Sequence, residues 1–323
     1  MRALAYACYG PPIDVMTVRT DLPEPVVGPG DVLVQVVATS LNSWDWDLVT
    51  GSTQGRLVGG WTRPRLPILG CDIAGRVVQI GPGVERFAVG DEVLGDDSGA
   101  AWGGLGERVA VPQELLAKKS PTMSFEQAAA TPQAGVLALQ GLQMGSALAP
   151  GKRVLLNGAS GGVGTFALQL ACSFGATVDC VDHGDKLDPL TQLGAAGVFD
   201  HRCEDPTIQD GQYDAIVDVA GTRPFTHWRR VLAPGGTYAV VGGSLARIAQ
   251  TFAVGAIVGR VTGQHLGVLL HRPNAADLDC LTQMFEEGRY RPVIDRVVGL
   301  DEAPRALADL GAGRVLGKVV VTL

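Results

Sequence analysis

Apolar and polar positions follow two different periods along this chain. Up to about residue 120 the apolar runs are short and lie between Pro/Gly turns. Strands are predicted at Ala3–Cys8, Val32–Ala38, Ala74–Ile80, Glu92–Leu94 and Glu107–Val111, with turns such as Gly28-Pro29-Gly30 and Gly81-Pro82-Gly83 between them. Such spacing predicts a small barrel or sandwich. Between Leu41 and Gly70 the pattern is loop-rich and holds three of the five tryptophans, Trp44, Trp46 and Trp61. Lining of an apolar pocket and ordinary packing are both open readings of that cluster. From Ser124, an N-cap with Gln127 completing a capping box, strands and helices alternate to about residue 270. Further strands are predicted at Val198-Phe199, Ala215–Val219 and Tyr238–Val241. Pro224 is expected in the first turn of a helix carrying Phe225, Trp228, Val231 and Leu232, stopped by Pro234-Gly235-Gly236. Helices at Leu278–Glu287 and Ala303–Leu310 and a strand at Lys318–Leu323 close the chain. The alternation predicts a doubly wound parallel sheet. Asp179, an acid within one of its strands, has no account at this level, since burying it there is costly.

The most specific stretch runs from Lys152 to Lys186. An apolar run, Val154-Leu155-Leu156, leads into Gly158-Ala159-Ser160-Gly161-Gly162-Val163-Gly164. A helical face follows on Val163, Phe166, Ala167, Leu170 and Phe174, with Gly175 placed to close the helix. A second apolar run, Val178 to Val181, ends on Asp182, 18 residues after Gly164. Strand, glycine turn, helix, strand and acid in this order form a dinucleotide fingerprint. Ala159, Gly161 and Gly164 fill its three small positions. Gly161 lets a pyrophosphate approach the backbone, Gly164 lets the helix lie close to the strand, and the free N–H groups at the helix start face the anion.

Composition narrows the class. With 323 residues the chain has room for about two domains, each with its own core. Apolar residues at 46% and charged residues at 18% indicate a globular protein. A net charge of −7 argues against a nucleic-acid or anionic-membrane partner. No signal peptide and no apolar run of membrane-spanning length are read in the sequence. The six cysteines form no CxxC pair, so no zinc knuckle or disulfide framework is expected, and a reducing cytoplasm is the simplest compartment.

Several stretches in shared order resemble the medium-chain dehydrogenase/reductases, within them the zinc-free quinone-oxidoreductase-like branch. They are Leu41-Asn42-Ser43-Trp44-Asp45, Leu69-Gly70-Cys71-Asp72-Ile73-Ala74-Gly75, Val89-Gly90-Asp91-Glu92-Val93, Ala128-Ala129-Ala130-Thr131-Pro132, Gly158 to Gly164, and Gly317-Lys318-Val319-Val320. The resemblance implies an α/β protein: a GroES-like β-barrel catalytic domain over residues 1–123, completed by 271–323, and a Rossmann domain over residues 124–270. It also implies a cleft between them and a homodimer. Zinc members carry a Cys and a His ligand where this chain has Asn42 and Cys71, and their four-cysteine lobe is absent here, so a metal-free site is expected. Cys71 is read as a small buried residue. The implied cofactor-binding set is Ala159, Ser160, Gly161, Gly162, Val163, Gly164, Asp182, Lys186, His201, Ala220, Gly242 and Arg314.

Metal-free chemistry constrains the substrate. Reducing a plain ketone puts charge on one oxygen, which calls for a Lewis acid or a strong donor. A quinone or activated C=C bond spreads that charge by conjugation. The expected reaction is therefore hydride transfer from NAD(P)H to a small apolar conjugated substrate, a quinone or other activated alkene or carbonyl. Asn42, Asp45 and Asp47 are the candidate catalytic residues. Asn42 would hold substrate or nicotinamide through its amide, while Asp45 would anchor its loop or a ribose. Asp47 stands where quinone reductases often carry a Tyr, and Leu137 stands where the family has a Thr, so the proton donor is open and water would serve. The branch mostly uses NADPH. Here, however, a carboxylate at Asp182 would repel a 2′-phosphate by roughly 4 kcal/mol at 4 Å and an effective dielectric of 20, before screening. Lys186, His201 and Arg314 pull the other way. The balance favours NADH slightly over NADPH, without zinc. An enoyl-thioester or biosynthetic-intermediate reductase is the alternative enzyme, and a non-catalytic nicotinamide-binding protein the alternative of another class.

Overall fold

The computed structural model describes residues 1–208 and 212–323. The chain forms two compact units. The first comprises Met1–Val136, Arg272–Glu287 and Pro292–Leu323, and the second Leu137–His271 and Gly288–Arg291.

In the first unit the 11-residue strand Asp31–Leu41 is the hub. It pairs antiparallel with Asp72–Ile80, Arg108–Pro112 and the C-terminal strand Lys318–Thr322. The sheet continues on one side to Ile294–Gly299 and on the other to Glu92–Asp96 and Leu116–Lys118. Val32, Val34 and Val36 alternate inward against Ile73, Val77, Val93 and Val109, as a period of two requires. The register Val319↔Leu41 sets Lys318 level with Asn42. The expected strands are present with shifted ends. The stretch read as loop contains two helices, Ser43–Thr50 and Thr53–Gly59. Trp46 packs against the core beside Leu48 and Leu307, whereas Trp44 and Trp61 are exposed.

The second unit is built on six parallel strands. Their spatial order is Gly197–Asp200, Thr177–Asp182, Arg153–Asn157, Tyr213–Asp218, Leu232–Val240 and His265–Val268. The order reverses beside Arg153–Asn157, so a switch point opens at its carboxyl end. This is the doubly wound sheet expected. Gly175, at φ 82°, follows the helix Gly162–Ser173, while Ser124, which caps Phe125–Ala130 with Gln127 closing the box, falls in the first unit. Asp179 gains its missing account: its Oδ2 accepts from the Tyr213 hydroxyl at 2.8 Å and lies 3.5 Å from Arg153.

The reading around Pro224 is corrected. Pro224 is the N-cap of a single turn, Phe225–Trp228, and Leu232 starts a strand that runs through Pro234-Gly235-Gly236. The spacing of Phe225, Trp228, Val231 and Leu232 mimics a helical face, but the last two reach the same core from the chain entering the sheet. A register irregularity between Tyr213 and Ala215 absorbs the glycines. Helix Leu245–Thr262 and the strand after it had no distinct periodic signal, because apolar residues also occupy the helix's exposed side. Among the described residues no helix is long and apolar enough to cross a membrane.

Asp97, just beyond Glu92–Asp96, is fully buried; the Ala101 and Trp102 N–H groups face its carboxyl, but neither oxygen has a partner at full hydrogen-bond geometry among the described residues. Burial pushes its carboxyl up to about 8 from an ordinary value near 3.8. The folded state therefore binds a proton there that the unfolded chain releases. Stability from this group is complete below pH 4 and is lost as pH rises through 8. Asp97→Asn is expected to raise Tm at pH 8.5 and to leave it nearly unchanged at pH 4.5. Thermal melts in which both shifts are equal would contradict this.

Candidate active site

A candidate cofactor site lies in the second unit. The strand Arg153–Asn157 ends in a turn, and Gly161 caps the helix Gly162–Ser173. Gly158 holds φ +81°, and a Cβ on Gly164 would fall 2.4 Å from the Gly158 carbonyl oxygen. Only glycine allows the helix to start so close to the turn. At Gly161 a Cβ would meet only the Gly158 carbonyl, at 3.7 Å, so the space in front of the helix start is open. The open cradle, the helix N–H groups and an acid beside them fit a dinucleotide diphosphate and its ribose. Ala159 and Ser160 are buried beneath the turn, and Gly162, Val163 and Gly164 form the first turn of the helix.

Asp182 closes the next strand and joins the same feature. Its Oδ2 accepts from the Ser160 N–H at 2.7 Å and its Oδ1 from the His183 N–H at 2.8 Å. A cavity beside it is lined by Asn157, Gly158, Val181, Asp182, His201 and Ala220, together with Thr222 and the cation Arg223. Lys186 ends the short turn after His183, and the His183 and His201 rings stand edge to face at 6.2 Å. Gly242 backs onto Val219 beside Ala220, where a Cβ would come within 2.8 Å of the Val219 carbonyl. Two nearby arginines are already engaged, Arg202 by Asp200 and Arg223 by Asp205. Arg314 belongs to the first unit, where its Nε and Nη2 both hold Asp309.

The sequence did not single out the buried acid supporting this edge. Asp218 is fully buried and accepts from Asn157 Nδ2 at 2.7 Å, the Gly221 N–H at 2.8 Å and the Tyr238 hydroxyl at 2.7 Å. Burial raises its carboxyl, and these donors oppose the rise. It ties three strand ends together under the cavity. An acid ending an apolar run, as Asp182 also does, was the available signal.

A separate candidate cluster lies in the first unit, around Asn42. Its backbone N–H donates to Asp45 Oδ2 at 2.8 Å, and Asp45 Oδ1 accepts from the Gly70 N–H at 2.9 Å. Asp45 thus pins the start of Ser43–Thr50 to the 69–71 segment. Its complete burial pushes the carboxyl up to about 7 against those two donors. Asp47 faces Gln54, accepting from its Nε2 at 2.5 Å. The Asn42 side chain turns the other way. Its Nδ2 donates to Asp72 Oδ2 at 2.8 Å and makes a longer contact, 3.5 Å, to Cys71 Sγ, while its Oδ1 accepts from Lys318 Nζ. Lys318 also lies 3.1 Å from Asp72 Oδ2. Ser40 Oγ donates to the same oxygen, and the Gln133 N–H donates to Asp72 Oδ1 at 2.7 Å. Gln133 Nε2 donates to Cys71 Sγ at 3.0 Å. Burial, then the neighbouring Asp72 and Asp96, push the Cys71 thiol well up. Lys318, Asp72 and Gln133 escaped the sequence reading as site residues because Asn42 meets the first across 276 positions. Among the described residues no group of three or more His, Cys, Asp or Glu is placed to hold a metal ion.

Comparison with known proteins agrees with this architecture. Residues 28–121 match the alcohol dehydrogenase GroES-like domain, and residues 193–321 match a zinc-binding dehydrogenase domain. A chloroplast envelope quinone oxidoreductase homolog of Arabidopsis thaliana is 32% identical, over 99% of this chain and 98% of its own. A 2-methylene-furan-3-one reductase of Solanum lycopersicum is 31% identical, over 99% of this chain and 79% of its own. The solved quinone oxidoreductase of Coxiella burnetii superposes with a TM-score of 0.88 at 28% identity, covering 100% of this chain and 99% of that one. The chain belongs to the medium-chain dehydrogenase/reductase superfamily, in its quinone-oxidoreductase-like branch, and is an oxidoreductase.

Proposed function

We propose that this protein is a metal-independent, NADH-preferring reductase that delivers a hydride to a quinone or another conjugated carbonyl or alkene. The observation that carries the reading is the make-up of the Asn42 cluster, whose cation is a lysine ammonium held 3.1 Å from its carboxylate. One of the matched families bears a zinc-binding description, so the donor set is the test. It does not fit zinc: one thiol pushed towards its neutral form, two amides, and a carboxylate already paired with Lys318. Relatives described as a quinone oxidoreductase homolog and a 2-methylene-furan-3-one reductase support a conjugated acceptor.

A bound reduced nicotinamide supplies the hydride. The residues around Gly161 would hold its diphosphate, and Asp182 would accept from its ribose. Asn42 donates a hydrogen bond to the acceptor oxygen, on which charge develops. Conjugation spreads that charge, and water supplies the protons, so a quinone leaves as a hydroquinone. Asp182 favours NADH, and the pairing of Arg202 and Arg223 with Asp200 and Asp205 leaves less cation for a 2′-phosphate. The six thiols, none in a disulfide, support a reducing, cytoplasmic compartment.

A homodimer is part of this reading. Among the described residues His265–Val268 pairs on one side only, with Leu232–Val240, and leaves an open sheet edge. Beside it, Leu245–Thr262 exposes Phe252, Ile257 and Val261 at 72%, 64% and 84%. An open edge next to exposed apolar side chains suits a second copy related by a two-fold axis.

Absorbance at 340 nm should fall with benzoquinones and enones, at a rate unaffected by EDTA. Cofactor binding without turnover on quinones, enones or enoyl thioesters would overturn the enzymatic reading, and stoichiometric zinc would overturn the metal-independent one. Asp182→Ser is expected to move the kcat/KM ratio of NADPH to NADH upward by roughly tenfold. An unmoved ratio removes Asp182 as selector. Light scattering after chromatography should give a dimer for the wild type and a monomer for Phe252→Asp/Ile257→Asp, and a monomeric wild type contradicts the assembly.

A further inference from the structure

Asn42 sits in an unusual electrical position. Its carbonyl oxygen meets an ammonium and its amino group meets a carboxylate. A flipped amide would set NH2 against Lys318 and C=O against Asp72, two repulsive contacts, so one orientation is fixed. The same arrangement polarises the amide: the cation draws electrons to Oδ1, the anion accepts one N–H, and the remaining N–H becomes a better donor. That N–H has only the 3.5 Å contact to Cys71 Sγ, a weak acceptor. Exposure grades the same way. Asp72 is 0% and Lys318 2% exposed, while Asn42 keeps 7%, so of these three Asn42 lies nearest the surface.

We propose that Lys318 is a positioning residue: its ammonium, delivered by the C-terminal strand, fixes and polarises the Asn42 amide so that its weakly used N–H donates to the oxygen of a conjugated acceptor. The proposal rests on the reductase reading above. Lys318 does not touch the substrate. It acts on the charge that develops in the transition state, and therefore on kcat more than on KM.

A purely structural Lys318 would only balance Asp72, and the test separates the two roles. Lys318→Met is expected to lower kcat for a quinone at least tenfold, with KM and NADH affinity within threefold of wild type. The primary isotope effect with 4-deuterated NADH should rise, because hydride transfer becomes slower relative to release. Lys318→Arg, which keeps the charge, should recover part of kcat. Where Lys318→Met fails to fold, Lys318→Gln takes its place. A second readout needs no turnover. In 15N-labelled protein the Asn42 side-chain NH2 pair, identified by its loss in Asn42→Ala, should be strongly non-degenerate and shift by more than 0.5 ppm in Lys318→Met, a displacement of the order expected when an adjacent charged partner is removed. A kcat within threefold of wild type with an unchanged isotope effect, or an unmoved NH2 pair, overturns the proposal. Wild-type protein that turns over no acceptor instead sinks the reductase reading, and the NH2 pair then decides the Lys318–Asn42 coupling by itself.

Discussion

The first unit is organised around a charge pair that is costly to bury. Lys318 and Asp72 leave almost no surface to solvent, and taking two ions out of water carries a penalty of several kcal/mol each. Their attraction offsets it only with further hydrogen bonds, which Ser40, Asn42 and the Gln133 N–H supply. The pair also specifies register. Side chains alternate faces along a strand, so a one-residue slip of Lys318–Thr322 against Asp31–Leu41 would carry the ammonium to the opposite face and leave Asp72 unpaired. The last strand of the chain is thereby locked to the residue on which the proposed chemistry depends.

The second unit meets a different constraint, closeness. At Gly164 the helix approaches the turn within a distance no side chain tolerates. Two acids, Asp182 half-buried and Asp218 fully buried, hold the surrounding edges. Asp182 takes the Ser160 and His183 amides, and Asp218 gathers Asn157, Gly221 and Tyr238. Both use carboxylates to satisfy groups at strand ends, where the sheet ladder no longer provides partners. The cavity beside Asp182 is a by-product of that edge.

What could be read in the sequence depended on range. The glycine turn and its helix are local: spacing, a cap and a following acid lie within about thirty residues, and each has a single physical reason to be there. The Ser124 box was legible for the same reason. The helix expected beyond Pro224 failed because a one-turn helix entering a strand puts apolar residues at nearly helical intervals. Lys318 was visible as part of a C-terminal motif, but nothing nearby in sequence tells a buried lysine from a solvated one. That distinction needs Asp72, 246 positions away. Asp179 was flagged as a misfit for the converse reason, since its partner Tyr213 lies in another strand.

The chemistry follows from what a lysine can and cannot do in such a place. An ammonium held by a carboxylate and an amide oxygen, with almost no surface left to solvent, has a fixed position and does not meet a substrate oxygen as an open metal site does. In the proposed role its influence would pass through Asn42 as an oriented dipole. A single amide N–H is a modest donor, worth far less than a Lewis acid against charge confined to one oxygen. It is adequate where the acceptor shares the charge among several atoms. On the reductase reading proposed above, a site of this kind would select its substrates by their electronic structure before their shape, and conjugated carbonyls would meet that condition where simple ketones would not.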